Sequence, residues 1–177
     1  MIGSQGVGKT TQLEHFVSLH PHFSVVKSDR RKLVEDGVIK VNREAAPWDE
    51  IVIGGDVMKS ILSASSPSIA DRSWVDKCAY AQLLPYPQEI LDAIHVYYSN
   101  AFPGISEDDA YIYFPPMIEL VADGVRDIDK QYQKDIDTMI RFYANLLGVQ
   151  LYTITQLSVQ DRYLEIVNYL TARGLEF

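Results

Sequence analysis

Cysteine is almost absent, since the 177-residue chain carries only Cys78. A lone thiol has no internal partner, so the fold must close without a disulfide. That suits a reducing compartment, and a cytoplasmic location is expected. Long apolar runs are missing as well. No stretch reaches the roughly 18 residues that a membrane span requires, and no charged-then-apolar leader is present, so neither a span nor a secretory signal is predicted. Basic residues are outnumbered, 16 against 24 acidic, for a net charge of −8. That sign repels a nucleic-acid backbone over the molecule as a whole and makes nucleic acid an unfavoured partner. Internal repeats and low-complexity tracts are also lacking. With 47% apolar residues, the chain can close one sizeable core, and residues 1–177 are read as a single domain.

The most informative stretch is Gly3-Ser4-Gln5-Gly6-Val7-Gly8-Lys9-Thr10, followed by Thr11, which fits the pattern G-x-x-x-x-G-K-[ST]. Its glycines let the backbone turn tightly and point N–H groups inward around polyphosphate oxygens. Lys9 would reach the β/γ-phosphates, and the Thr10 hydroxyl would ligate Mg²⁺. A helix starting near Lys9 would add its positive end to the pocket. Only Met1 and Ile2 precede Gly3, so the strand that normally feeds such a loop is expected to be short, or to begin upstream of this numbering.

Further along, Phe23–Val26 reads as a short strand delivering Lys27, Asp29, Arg30, Arg31 and Lys32 to its C-terminal end, the edge where open α/β sheets bind ligands. A helix is expected from about Pro47 to Ala64, with Ile51, Met58, Ile61 and Leu62 on its buried side and weakened by Gly54-Gly55. Ser68-Ile69-Ala70 leads into Asp71-Arg72-Ser73. A carboxylate there can hold Mg²⁺ or accept the proton of an attacking hydroxyl, and the neighbouring guanidinium can clamp phosphate. Ala110–Phe114 is an apolar strand closed by Pro115-Pro116, and Asp123-Gly124-Val125-Arg126 reads as a glycine-hinged loop. The long amphipathic helix after it is expected over about Asp127–Leu147, with Asp127 as N-cap. Gln150–Ile154 is the last strand, and Ser158 caps the last helix.

Taken in this order, the P-loop, the charged strand tip, Asp71-Arg72-Ser73 and the Asp123–Arg126 loop resemble the P-loop nucleoside and nucleotide kinases, the superfamily of thymidylate kinase, the deoxynucleoside kinases and many bacteriophage and bacterial homologues. The resemblance implies a three-layer α/β/α fold with a five-stranded parallel sheet flanked by helices, and an arginine-bearing lid over about 116–130. It implies ATP and Mg²⁺ as cofactors, with ATP on Gly3–Thr11. Lys9 would lie on the donor phosphates, Thr10 and Asp71 on the metal, Arg72 on phosphate and Arg126 in the lid. Arg31 falls near a family arginine that holds an acceptor phosphate, and Asp29 near a carboxylate that deprotonates the acceptor. The sequence departs from its relatives where many carry Glu-Pro and it has Lys27-Ser28-Asp29, and where many carry a second lid arginine and it has Gln133.

The expected activity is transfer of the ATP γ-phosphoryl group to a small-molecule acceptor, a (deoxy)nucleoside monophosphate or nucleoside. Arg30, Arg31 and Arg72 supply more positive charge than the donor alone requires, and Trp48, Trp74 or Tyr80 is available to stack on the acceptor base. Alternatives are a kinase acting on a hydroxymethylated base in DNA or on ribosylnicotinamide and, from another class, a nucleotide-binding switch or assembly ATPase. A homodimer is compatible with any of these.

Overall fold

The computed structural model describes residues 1–101, 109–121 and 128–175. The Asp123–Arg126 loop, and with it Arg126 and Asp127, lies outside the described residues. Seven α-helices and four short strands follow one another there: α1 (Lys9–Leu19), β1 (Ser24–Val26), α2 (Arg30–Glu35), α3 (Pro47–Ser63), β2 (Ser68–Ala70), α4 (Trp74–Gln82), α5 (Gln88–Ala101), β3 (Tyr111–Tyr113), α6 (Lys130–Leu146), β4 (Leu151–Thr153) and α7 (Val159–Ala172). No helix among the described residues is long and apolar enough to cross a membrane.

The expected five-stranded parallel sheet is not formed. The architecture is mixed α/β, but the strands make two separate two-stranded parallel sheets, β1 with β2 and β3 with β4. Met1 and Ile2 run between the two pairs and meet them through single contacts rather than a ladder. The Ile2 N–H donates to Ile112 O at 2.8 Å and Ile2 O accepts from Phe114 N–H at 2.8 Å, which amounts to an isolated bridge. On the other side the Met1 amino group donates to Ala70 O at 2.8 Å, and Arg72 N–H donates to Met1 O at 3.0 Å.

Helices cover both faces of these strands because the strand residues alternate. Ile112 and Phe114 face Leu13 and Phe16 of α1 and Ile166 and Leu170 of α7. Ile2 and Tyr113 face the other way, into Val75, Ala79 and Tyr80 of α4, Ile94 and Tyr98 of α5, and Tyr132, Ile136 and Ile140 of α6. Cys78 is buried in this second cluster, where burial pushes its thiol up to about 12, an inert state.

Two expectations about helices, one a buried face and one a cap, need correction. Ile51 and Leu62, expected to be buried, are exposed, Leu62 at 79%, and α3 instead buries Ile53, Gly54 and Val57. Gly54 sets that face: a Cβ there would sit 2.4 Å from Cε1 of Tyr97, whose hydroxyl donates to Ile51 O at 3.1 Å. The N-cap of α6 is Asp129, whose carboxylate accepts from Gln131 N–H at 2.7 Å. Ser158 caps α7 as expected, accepting from Asp161 N–H at 3.0 Å.

Candidate functional site

The phosphate-binding pattern folds as a tight loop at the start of α1, with Gly3, Gly6 and Gly8 at φ 152°, 76° and 86°. Side chains are poorly tolerated at these φ values. A Cβ on Gly3 would also lie 2.5 Å from Phe114 O, so the loop threads a gap only glycine fits. With no side chain capping α1, its first N–H groups face the cleft, as an anion site requires.

Three buried side chains fix the loop from behind, and sequence reasoning assigned none of them this task. Asp76, the third residue of α4, accepts from Gly3 N–H at 2.9 Å while its other oxygen accepts from Ser73 N–H at 2.9 Å. Gln133 of α6 donates to Gln5 O at 2.8 Å. Arg162 of α7 donates to Val7 O at 3.0 Å and to Gln156 O at 2.8 Å. Ser73-x-x-Asp76 is a capping-box signature, so the role of Asp76 at its own helix end was open to detection. Its second bond, to a residue 73 positions away, was not.

Lys9 is turned back onto its own loop, donating to Gly3 O and Ser4 O at 2.7 Å each. Burial, reinforced by repulsion from Arg72, lowers its pKa from 10.5 to about 7. Thr10 Oγ1 donates to Asp71 Oδ2 at 2.9 Å. Burial alone would raise the Asp71 carboxyl, but Arg72, Lys9 and the Thr10 hydroxyl together hold it below its ordinary value, so it stands ionised. These residues, 61 positions apart in the chain, therefore meet at one place. A hydroxyl and an ionised carboxylate in contact form a hard-oxygen set that fits Mg²⁺, which takes one or two protein ligands and completes its shell with water and phosphate. No group of three or more His, Cys, Asp or Glu among the described residues is placed to hold a metal.

Arg72 occupies the tip of β2 at φ 89°, a conformation that costs a non-glycine residue about 1–3 kcal/mol. Its guanidinium lies over the Tyr80 ring at 4.8 Å, and its Nη1 is buried with no hydrogen-bond partner. The Tyr80 hydroxyl donates to Gln5 Oε1 at 2.8 Å, so α4 links Arg72 to the P-loop.

A cleft of about 720 Å³ gathers these groups. Gln5, Gly6, Val7, Gly8, Lys9, Thr10 and Thr11 line one wall, and Asp29, Arg30 and Arg31 line the other, with Asp71 and Arg72 also facing it. Gly3 and Ser4 lie beneath the loop, their carbonyls occupied by Lys9. Asp29 precedes α2 at the rim without a side-chain capping bond, and its N–H donates to Asp56 Oδ2 at 2.7 Å. Trp74 stands apart: it packs against the α4–α5–α6 core and does not line the cleft. Trp48 is exposed at 65%, likewise away from the cleft. Lys77, which sequence reasoning missed, does line it.

A cleft walled by a P-loop, with a Thr–Asp pair at its base, is a nucleotide site, and the comparison with protein families agrees. The model of the AAA domain matches residues 1–162. The chain belongs to the AAA domain family. It is thus a P-loop domain of NTPase type, whose loop takes a nucleoside triphosphate. A comparison with curated proteins finds no match.

Proposed function

We propose that this P-loop domain transfers the γ-phosphoryl group of ATP to a small acceptor, a (deoxy)nucleoside monophosphate or nucleoside. The observation that carries this reading is the two-sided cleft. Donor groups, Lys9, Thr10 and Asp71, stand on one side, and Arg30 and Arg31 add positive charge at the tip of a different strand. A site for triphosphate hydrolysis alone has no need of that second wall.

In such a transfer the protein aligns the reactants and neutralises charge. Lys9 would release Gly3 O and Ser4 O and follow the phosphates, and Thr10 and Asp71 would hold Mg²⁺, which would supply positive charge against the phosphates. Arg72 would steady the phosphoryl group or the acceptor, and Asp29 stands at the rim where an acceptor hydroxyl needs a base. Arg126 is carried as the lid arginine on the resemblance alone.

The test is a screen of nucleosides and monophosphates with ATP and Mg²⁺, reading ADP and phosphorylated product. At least one acceptor should raise ADP release well above the acceptor-free rate, and Lys9→Ala should cut kcat by about 10²–10³-fold, the usual cost of one transition-state donor. Undiminished transfer by Lys9→Ala would refute the mechanism. The AAA family match supports a second reading, a nucleotide-driven switch or assembly ATPase. Turnover without any acceptor, accelerated by a macromolecule, would favour it.

A further inference from the structure

The P-loop is gripped by its carbonyl oxygens, and each grip fixes a direction. In a trans peptide the C=O of one residue points opposite to the N–H of the next. Arg162 of α7 donates to Val7 O at 3.0 Å, which turns the Gly8 N–H away from α7. Gln133 of α6 donates to Gln5 O at 2.8 Å, which turns the Gly6 N–H away from α6. Gly6 and Gly8 both line the cleft, whereas Arg162 and Gln133 do not. Neither glycine N–H has a hydrogen-bond partner among the described residues. Two donors therefore stand open on the cleft side, each set by a side chain on the far side of the loop.

The two grips differ in charge. Gln133 shows that a neutral amide is enough to hold a loop carbonyl, yet α7 uses a guanidinium that is 2% exposed, although a charge held out of water is unfavourable. Its contacts are with carbonyls and a ring: Nε donates to Gln156 O at 2.8 Å, the Phe114 ring centre lies 5.5 Å from the guanidinium carbon, and Nη2 is buried without a partner. Glu165, one turn along α7, favours the charge through space, but burial outweighs it and lowers the Arg162 pKa. The Glu165 carboxylate is itself taken up by the Thr155 and Gln156 N–H groups at 3.1 and 3.2 Å. A positive charge on the oxygen side of a peptide polarises it and strengthens the N–H on the other side as a donor. We propose that Arg162 is a positioning residue for polyphosphate, which aims the Gly8 N–H at a phosphate oxygen and sets a buried positive charge behind the cradle, with Gln133 as its neutral counterpart at Gly6. The ligand is any nucleotide bearing a polyphosphate, so the inference rests on the P-loop and not on phosphoryl transfer to an acceptor.

The test is ¹H–¹⁵N NMR of the full chain titrated with AMP-PNP and Mg²⁺, with the dissociation constant taken from calorimetry. Loading the cleft should move the Gly6 and Gly8 amide protons downfield. In Arg162→Gln the Gly8 shift should be lost while the Gly6 shift persists, and AMP-PNP should bind about tenfold or more weakly, the usual loss for a hydrogen bond from a charged group. Gln133→Met should reverse the pattern, losing the Gly6 shift and keeping that of Gly8. Arg162→Lys, which retains the charge and a donor, should recover part of the affinity that Arg162→Gln loses. Lys134→Gln, exposed on α6 and outside the cleft, removes the same charge and should leave binding unchanged. Should Arg162→Gln fail to fold, the unsubstituted chain gives the answer: the Arg162 Nε–H resonance should move on loading, although Arg162 does not line the cleft. Loss of both glycine shifts together in each variant, as from a loop that has merely come loose, would overturn the proposal. So would AMP-PNP binding by Arg162→Gln equal to that by Lys134→Gln, or an Arg162 resonance indifferent to the nucleotide. None of these arms involves an acceptor, so a failure of the phosphoryl-transfer reading can be told from a failure of this one.

Discussion

Lys9 and Lys77 are two buried lysines in one small domain, both with the pKa lowered to about 7 and burial as the leading cause. Their ordinary value is 10.5, so between pH 7 and 10.5 the unfolded chain binds more protons than the folded one. The ligand-free protein should therefore gain stability as pH rises through that window, the reverse of a protein held by salt-bridged lysines. Lys77→Met, which removes the charge and keeps the length, should raise the urea midpoint at pH 7 and reduce its climb towards pH 9; Lys9 supplies the slope that remains. A midpoint that falls on substitution at pH 7 would show that Lys77 already has a counter-charge. The residue scale is also where the sequence spoke most plainly. Gly3, Gly6, Gly8, Lys9 and Thr10 carry a fixed spacing because a backbone cradle needs it, so the loop they form could be read without tertiary information. Lys77 and Asp76 belong to an ordinary amphipathic helix, and nothing local marks either as facing the P-loop cleft or the loop's first N–H.

Helices and strands were found at nearly their expected places, from α1 at Lys9 to α7 behind the Ser158 cap. What the pattern got wrong was a rotation. Apolar residues surround α3 on more than one side, and the buried side is decided by the ring of Tyr97 pressing onto Gly54. Replacing Gly54 by alanine gives a direct check. Helix propensity alone favours alanine by about 1 kcal/mol, but a contact of 2.4 Å with a ring held by Ile51 O must be relieved. The clash should win, with a loss of about 1–3 kcal/mol in urea unfolding. In a Tyr97→Ala background the same change should become stabilising, by up to about 1 kcal/mol. An alanine that stabilises the otherwise unaltered chain would mean that α5 does not fix the face of α3. At the other end, α6 begins at Lys130 under Asp129, later than the expected cap, because a pattern of apolar residues locates a helix better than it locates its first turn.

Across the whole molecule, the nucleotide site lies where two separate strand pairs come together through Met1 and Ile2. One wall carries α2, after β1; the other is the P-loop with Asp71 at the tip of β2 bonded to Thr10, and Arg162 fixes that loop to α7 and Gln133 to α6. A triphosphate with Mg²⁺ touching both walls should tighten a thinly connected centre. Binding at about 100 times Kd adds roughly 2.7 kcal/mol, so AMP-PNP with Mg²⁺ should raise Tm by several degrees. Lys9→Ala should lose most of that rise. A rise of the same size in Lys9→Ala would place the nucleotide outside the P-loop.

The amino-acid order alone indicated the glycine loop, the element sequence and the charged strand tip, because each rests on local geometry: glycine at positive φ, an N-cap, a turn after a short apolar run. The split of the sheet, the buried side of α3 and the partnering of the P-loop with Asp76, Gln133 and Arg162 were decided only in three dimensions. They depend on which distant groups arrive within hydrogen-bond or van der Waals reach, and no periodicity along a chain encodes that.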